Sequence, residues 1–274
     1  MITFPNCKIN IGLNIVGKRA DGYHDIETVF FPLSLSDALE ILPAEEGQTE
    51  DRFVEEGTKL QDDAEQNLCM KALRLMQKQV RLTPVKIVLL KKIPVGAGLG
   101  GGSADATFTL KMLNSMHNAG FTDRQLTDMV ATLGSDCSFF MINKPVFACG
   151  KGDQMSPVSM DLKGLTIVVV KPPIFVSTAE AYSGTTPARP EKSLKELVQL
   201  PFSQWRDVIC NDFEKTIFAL HPGIAAIKSR LYEMGALYAS MSGSGSSVFG
   251  LFDKTVNASS LFPDCFYHEE TSLF

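Results

Sequence analysis

From residue 6 to residue 16 apolar and polar positions alternate. Ile9, Ile11, Leu13 and Ile15 fall on one side, Lys8, Asn10, Gly12 and Asn14 on the other, which is the period of a β-strand. By composition the polar row is either solvated or the wall of a site, and Gly12 within it favours close approach by a ligand. Further strands are read at 25–33, 38–42, 85–90, within 146–152, where a Gly-Lys-Gly turn closes the segment, at 165–170, near Leu237 and at 248–252. Apolar residues recur with helical spacing at 64–80 (Leu68, Cys69, Ala72, Leu75, Met76) and 103–116 (Ala106, Phe108, Leu110, Met112, Leu113, Met116). They do so again at 122–133, where Thr122-Asp-Arg-Gln125 is a capping box and Gly134 a stop. A helix start at 176–182 follows the Pro172-Pro173 break, and another helix covers 223–234. The acidic stretch 43–65 reads as a polar loop or weak hairpin. After residue 156 strands and helices alternate without a parallel run, which suits an α+β domain of ferredoxin-like type.

Between the strand at 85–90 and the helix at 103–116 lie five glycines in seven residues: Gly96, Gly98, Gly100, Gly101 and Gly102. A turn needs one or two, so the run suits backbone that a ligand must approach, and a side chain at Gly101 would be expected to fill the space where it lies. A glycine loop feeding a helix N-terminus offers free N–H groups and the positive end of the helix dipole, a site for phosphate. Three familiar phosphate loops do not fit. A dinucleotide fingerprint requires a strand directly after the helix, but a second helix follows. Walker A spacing requires Lys and Ser/Thr where Gly102 and Ser103 stand. A protein-kinase loop lies between strands, and no His-Arg-Asp or Asp-Phe-Gly follows.

The chain has 274 residues, 45% hydrophobic and 21% charged, enough for a proper core. Apolar runs such as 165–170 are far too short to cross a membrane, and the N-terminus lacks a signal-peptide layout, so the expected location is cytoplasmic. A net charge of -5 argues against nucleic-acid binding. Six scattered cysteines without a C-x-x-C pair suggest reduced thiols rather than a disulfide or zinc framework. Any phosphate must then be held locally. Asp136, between Gly134 and the apolar Phe139-Phe140, could simply cap the next segment. The run Met241-Ser242-Gly243-Ser244-Gly245-Ser246-Ser247 joins a strand pair and so is a tight loop rather than a linker.

Pro94-Val95-Gly96-Ala97-Gly98-Leu99-Gly100-Gly101-Gly102-Ser103-Ala104 resembles the phosphate loop of the GHMP small-molecule kinases. Lys8-Ile-Asn10 followed by Arg19-Ala-Asp-Gly-Tyr23-His24 is similar to the amino-terminal motif of the branch that phosphorylates 4-diphosphocytidyl-2-C-methyl-D-erythritol, a cytidine diphosphate-linked polyol. Gly134-Ser-Asp136 resembles the segment carrying the family's catalytic aspartate, with Cys137 and Ser138 where Val and Pro are usual. Ser242-Gly243-Ser244-Gly245 resembles the third motif, whose backbone lies against the phosphates. The resemblance implies a two-domain α+β GHMP kinase fold: a ribosomal protein S5 domain 2-like N-terminal domain over 1–155 that binds ATP, and a ferredoxin-like C-terminal domain over 156–274.

It further implies ATP and Mg2+, with Asp136 orienting or deprotonating the alcohol. Lys8 would keep Asp136 ionised and stabilise the transferring phosphoryl group. Lys92 and the loop amides would hold the ATP phosphates, Ser103 would be the hydroxyl nearest the magnesium, whose carboxylate ligands stay unnamed, and Asn67 would contact adenine. Asn10, Tyr23, His24, Thr178, Tyr182, Gly243, Ser244 and Gly245 would hold the acceptor, two rings sandwiching the cytosine and His24 bonding its edge. A monomer or weak homodimer is expected. Homoserine- or mevalonate-type kinases share the loops but lack the Tyr-His string. A non-catalytic binding protein of this fold would have no need of Lys8 together with Asp136.

Overall fold

The computed structural model describes residues 1–57 and 63–273, which form two compact units. One takes residues 1–7, 34–95 and 100–143, the other residues 8–33, 96–99 and 144–274.

The first unit holds a four-stranded sheet in the order Ile2–Thr3, Ala38–Pro43, Val85–Lys91, Arg52–Gly57. Along Val85–Lys91, Val85, Ile87, Leu89 and Lys91 are buried while the residues between them are not. A strict period of two thus carries a lysine into the core. The helices Leu68–Gln77, Gly101–Met116, Asp123–Val130 and Cys137–Ile142 belong to this unit. Leu73, Met76, Leu110 and Leu113 pack with Leu39, Ile41, Ile87 and Leu89 in its core. Each such side chain gains about 1.5–3 kcal/mol on burial.

Two expectations need correction here. The stretch 43–65 contains a strand, Arg52–Gly57, paired in parallel with Val85–Lys91; residues 58–62 of that stretch lie outside the described residues. The helix expected over 64–80 is a short 3-10 turn, Ala64–Gln66, followed by Leu68–Gln77. Asn67 breaks it with an extended backbone, and its side chain accepts the N–H of Cys69, which makes it an N-cap. The capping box at Thr122 and Gln125 is present as expected.

In the second unit one sheet runs Asn6–Lys18, His24–Ser36, Val146–Cys149, Gln154–Pro157. The alternation of the first strand holds, but its polar row is not solvated, since Lys8 is 3% and Asn10 2% exposed. The other sheet runs Tyr238–Met241, Val248–Phe252, Thr166–Lys171, Phe266–Thr271, antiparallel throughout. In chain order that is 2-3-1-4, the split βαβ arrangement of ferredoxin-like folds. Its first crossover carries Thr178–Ser183, Leu194–Leu197, Phe202–Val208, Phe213–Leu220 and Pro222–Glu233, and its second only the 3-10 turn Ser259–Leu261. Val168, Val170, Val248 and Phe252 pack with Phe213, Ile217, Ile224 and Leu231. No helix is long and apolar enough to cross a membrane among the described residues, and none of the six cysteines is in a disulfide.

Candidate active site

In the second unit the strand Asn6–Lys18 brings Lys8 and Asn10 to residues 96–99 and to the serine-glycine loop. Lys8 Nζ donates to Asn10 Oδ1 (2.5 Å) and to the Gly98 carbonyl (3.1 Å), and lies 5.1 Å from the centre of the Phe30 ring. The Asn10 side chain donates to Thr28 Oγ1 at 2.9 Å, and its backbone N–H to Ser242 Oγ at 3.1 Å. Ser242 Oγ in turn donates to Gly98 O at 2.9 Å. Ser247 N–H donates to the Ala97 carbonyl, and Asn211 holds the carbonyls of Met241 and Gly243, each at 2.8 Å. Gly98 has φ +73°, and a Cβ there would run into the Ser242 carbonyl. Loop against loop, and not only ligand against loop, therefore demands glycine at this position. Gly243 (φ +54°) and Gly245 (φ +89°) shape the facing loop, with Ser244 between them. Ala97 and Leu99 bury their side chains, so their backbone alone could meet a ligand. Asn211 and Thr28 were not singled out from the sequence; Asn211-Asp212-Phe213-Glu214 gave no local sign of a loop clamp.

In the first unit the helix Gly101–Met116 opens two residues earlier than its apolar spacing suggested, from Gly100 at φ +71°. Its first turn is Gly101, Gly102, Ser103, Ala104; the N–H groups of the first three have no intrahelical partner, while that of Ala104 donates to the Gly100 carbonyl. A Cβ on Gly101 would lie 2.8 Å from Ile93 Cγ2 and 3.3 Å from Lys91 Nζ. It would enter the interior, which corrects the expectation that it would fill ligand space. Pro94 is half-buried and Val95 exposed where the chain enters the loop. Lys92, expected at the phosphates, is exposed, while its neighbour Lys91 is 4% exposed between Asp37 and Asp105. Asp136 occupies the cap position of Cys137–Ile142 with helical φ and ψ and no side-chain cap bond, so the capping alternative fails. Thr107 Oγ1 reaches the carbonyls of Ser103 (2.8 Å) and Cys137 (3.0 Å). The helix that carries Ser103 is thereby joined to the residue after Asp136. Asn67 has its side-chain oxygen committed to the cap.

The expected acceptor residues lie in the second unit. The turn before His24 is braced by Arg19, paired with Asp21 and Asp25, and by Asp21 accepting from Tyr23 N–H. Tyr23 is 62% exposed, with Lys151 Nζ 5.1 Å from its ring centre. The His24 ring stacks on Tyr182, centroids 4.6 Å apart and planes 16° from parallel. Thr178 is exposed at the start of the Tyr182 helix. The Arg-Ala-Asp-Gly-Tyr-His string thus ends in a ring held against one from 158 positions onward.

Two family models match the chain, GHMP kinases N terminal domain over residues 67–150 and GHMP kinases C terminal over residues 190–262. The 4-diphosphocytidyl-2-C-methyl-D-erythritol kinase of Parabacteroides distasonis is 51% identical over 271 residues, 98% of each chain. That of Bacteroides fragilis is 52% identical over 92% of each. The chain belongs to the GHMP kinases, in this branch. A crystal structure of 4-(cytidine 5'-diphospho)-2C-methyl-D-erythritol kinase superposes with TM-score 0.83 at 28% identity, covering 99% of this chain and 100% of its own. Methanococcus jannaschii mevalonate kinase, 13% identical with TM-score 0.72 over 99% and 98% of the two chains, shares the fold. The mixed α+β, two-domain GHMP kinase fold is therefore that of this chain, and as a GHMP kinase it is an ATP-dependent small-molecule kinase.

Proposed function

We propose that the chain transfers the γ-phosphoryl group of ATP to the 2-hydroxyl of 4-diphosphocytidyl-2-C-methyl-D-erythritol, in the non-mevalonate route to isoprenoid precursors. The observation that carries this is the near-complete match, at about half identity, to kinases named for that substrate. The Tyr23-His24 string and its ring partner Tyr182 support it. Phosphoryl transfer asks mainly for positioning and for positive charge on the oxyanions. Loop amides at 96–104 and the exposed Lys92 take the ATP phosphates, and Asn67 the adenine side. The buried Lys8 ammonium supplies charge at the transferring group, and Asp136 orients or deprotonates the alcohol. Gly243, Ser244 and Gly245 lie along the phosphates, while Asn10, Tyr23, His24, Thr178 and Tyr182 select the acceptor. Because His24 and Tyr182 already touch face to face, a base entering between them must part them; the exposed face of Tyr23 needs no such movement.

Among the described residues no group of three or more His, Cys, Asp and Glu could hold a metal by itself. That fits magnesium carried on ATP, which needs only one or two protein oxygens and keeps the rest as phosphate and water. Ser103 Oγ, in the first helical turn, is the hydroxyl that would hold it, and magnesium there would neutralise phosphate charge. The family models fall on either side of position 155, which supports 1–155 and 156–274 as the two sequence domains, while the compact units of the fold assign 8–33, 96–99 and 144–155 to the second; the enzyme is cytoplasmic and monomeric or weakly dimeric. ATP consumption measured on a panel of the cytidylyl alcohol, homoserine and mevalonate tests the assignment. Turnover on the cytidylyl alcohol alone is expected. Turnover on the unmodified methylerythritol phosphate as well would refute the cytidine requirement.

A further inference from the structure

The cluster Asp37, Lys91 and Asp105 lies wholly within the first unit and is 0%, 4% and 2% exposed. Asp37 Oδ1 accepts the backbone N–H groups of Lys92 (2.6 Å) and Ile93 (2.8 Å), the last residues before the glycine loop, and its other oxygen takes Lys91 Nζ. Lys91 Nζ donates also to Asp105 Oδ2 at 2.8 Å, and Asp105 stands in the second turn of the helix that leaves the loop. One ammonium therefore ties the entry of the loop to its exit. Burying an ammonium with two carboxyl groups is costly, and a packed apolar trio would hold a fold at least as well. What the charges add is direction, since Asp37 grips two successive amides and Lys91 fixes the helix to them. Between these ties Gly96, Gly98 and Gly100 all have positive φ, and a chain so rich in glycine loses much entropy on being ordered. Holding both ends lowers what remains to be ordered when a ligand arrives.

We infer that Asp37, Lys91 and Asp105 are positioning residues for ATP, acting through the ends of the phosphate loop. This rests on the loop being where the ATP phosphates sit. Asp105→Ala cuts the tie to the helix while leaving Lys91 paired with Asp37, and Asp105→Val does the same without opening a cavity. In steady-state kinetics with ATP and the cytidylyl alcohol varied in turn, both variants are expected to raise the KM for ATP by roughly tenfold, the scale of a small misplacement at a positioned site. The KM for the alcohol should stay within about twofold of wild type. Asp105→Asn, which keeps an acceptor for Lys91, should recover most of the loss. A role in folding alone would lower the melting temperature of Asp105→Ala without separating the two KM values. That outcome, or a wild-type KM for ATP in either folded variant, overturns the inference. Ser103→Asp separates it from the reading beneath. An acid in a first turn suits the helix but repels phosphate, so loss of ATP binding there with intact binding in Asp105→Ala sinks the cluster's role alone. Unchanged ATP affinity in folded Ser103→Asp removes the loop from the nucleotide site, and the inference with it.

Discussion

Residues 91 and 92 show how little separates a core cation from a surface one. Both are lysines at the end of a strand, and the alternation of Val85, Ile87 and Leu89 already points to Lys91 as the inward one. The family resemblance implies Lys92 instead as the phosphate contact, and the structure leaves Lys92 exposed. Lys91→Met leaves Asp37 and Asp105 buried without their cation and is expected to cost about 3–5 kcal/mol. Lys92→Met should stay within about 0.5 kcal/mol, as surface changes do. Urea denaturation of the two variants checks this, and equal midpoints would show that Lys91 is not the cation of the cluster. Gly101 behaves likewise as a core residue, because its missing Cβ is the room that Ile93 occupies. Gly101→Val should therefore destabilise by about 1–3 kcal/mol through overpacking. A lowered ATP affinity in a variant that melts like wild type would instead return Gly101 to the ligand face.

At the level of elements, what was legible was local. The capping box at Thr122 and Gln125 and the strand from Lys8 to Ile15 are written in adjacent residues, and the structure follows them, whereas the helix expected to run to Gly134 already ends at Val130, with Ala131 as its cap. The strand Arg52–Gly57 was illegible because its pattern, Arg-Phe-Val-Glu-Glu-Gly, has no alternation, and only pairing with Val85–Lys91 makes it a strand. Phe266–Thr271 is half-buried on both faces and hidden for the same reason. The buried face of Lys8 and Asn10 was undecidable, since solvent and protein both suit a polar row until Thr28, Gly98 and Ser242 are placed beside it. Within the helix Gly101–Met116, burial drives the Asp105 carboxyl up from 3.8 to about 7, with Asp37 adding to the shift and Lys91 opposing it. A raised carboxyl keeps its proton in the folded chain where the unfolded chain has released it, so its contribution to stability falls as pH rises between those two values. Asp105→Asn carries no such loss. The difference in melting temperature, variant minus wild type, should move in the variant's favour from pH 5 to pH 8. A difference that does not change with pH would show that Asp105 is not the group that holds the proton.

Across the whole molecule, residues far apart in the chain meet in ways that no local pattern records. The strand order 2-3-1-4 in the second unit was anticipated only as a class, because alternation of elements suggests a split βαβ sheet but cannot count the five helices of its first crossover. His24 and Tyr182 are 158 positions apart, yet their rings stack at 4.6 Å. Two consequences can be separated by experiment. As a structural pair they should couple by about 0.5–1.5 kcal/mol in a double-mutant cycle on stability. As part of the acceptor site, Tyr182 should contribute stacking of about 1–3 kcal/mol with the base, so Tyr182→Ala should raise the KM for the cytidylyl alcohol by between about fivefold and a hundredfold. The KM for ATP should hardly move. Stacking is indifferent to which base is present, so preference for cytosine over uracil must come from hydrogen bonds, and a polar site rejects an analogue that leaves its groups unpaired. His24→Ala should therefore lose preference between cytidylyl and uridylyl forms of the alcohol, whereas Tyr182→Phe, which keeps the ring, should retain it. Equal KM increases for ATP and alcohol in Tyr182→Ala would mean that the ring pair supports the fold and takes no part in choosing the acceptor.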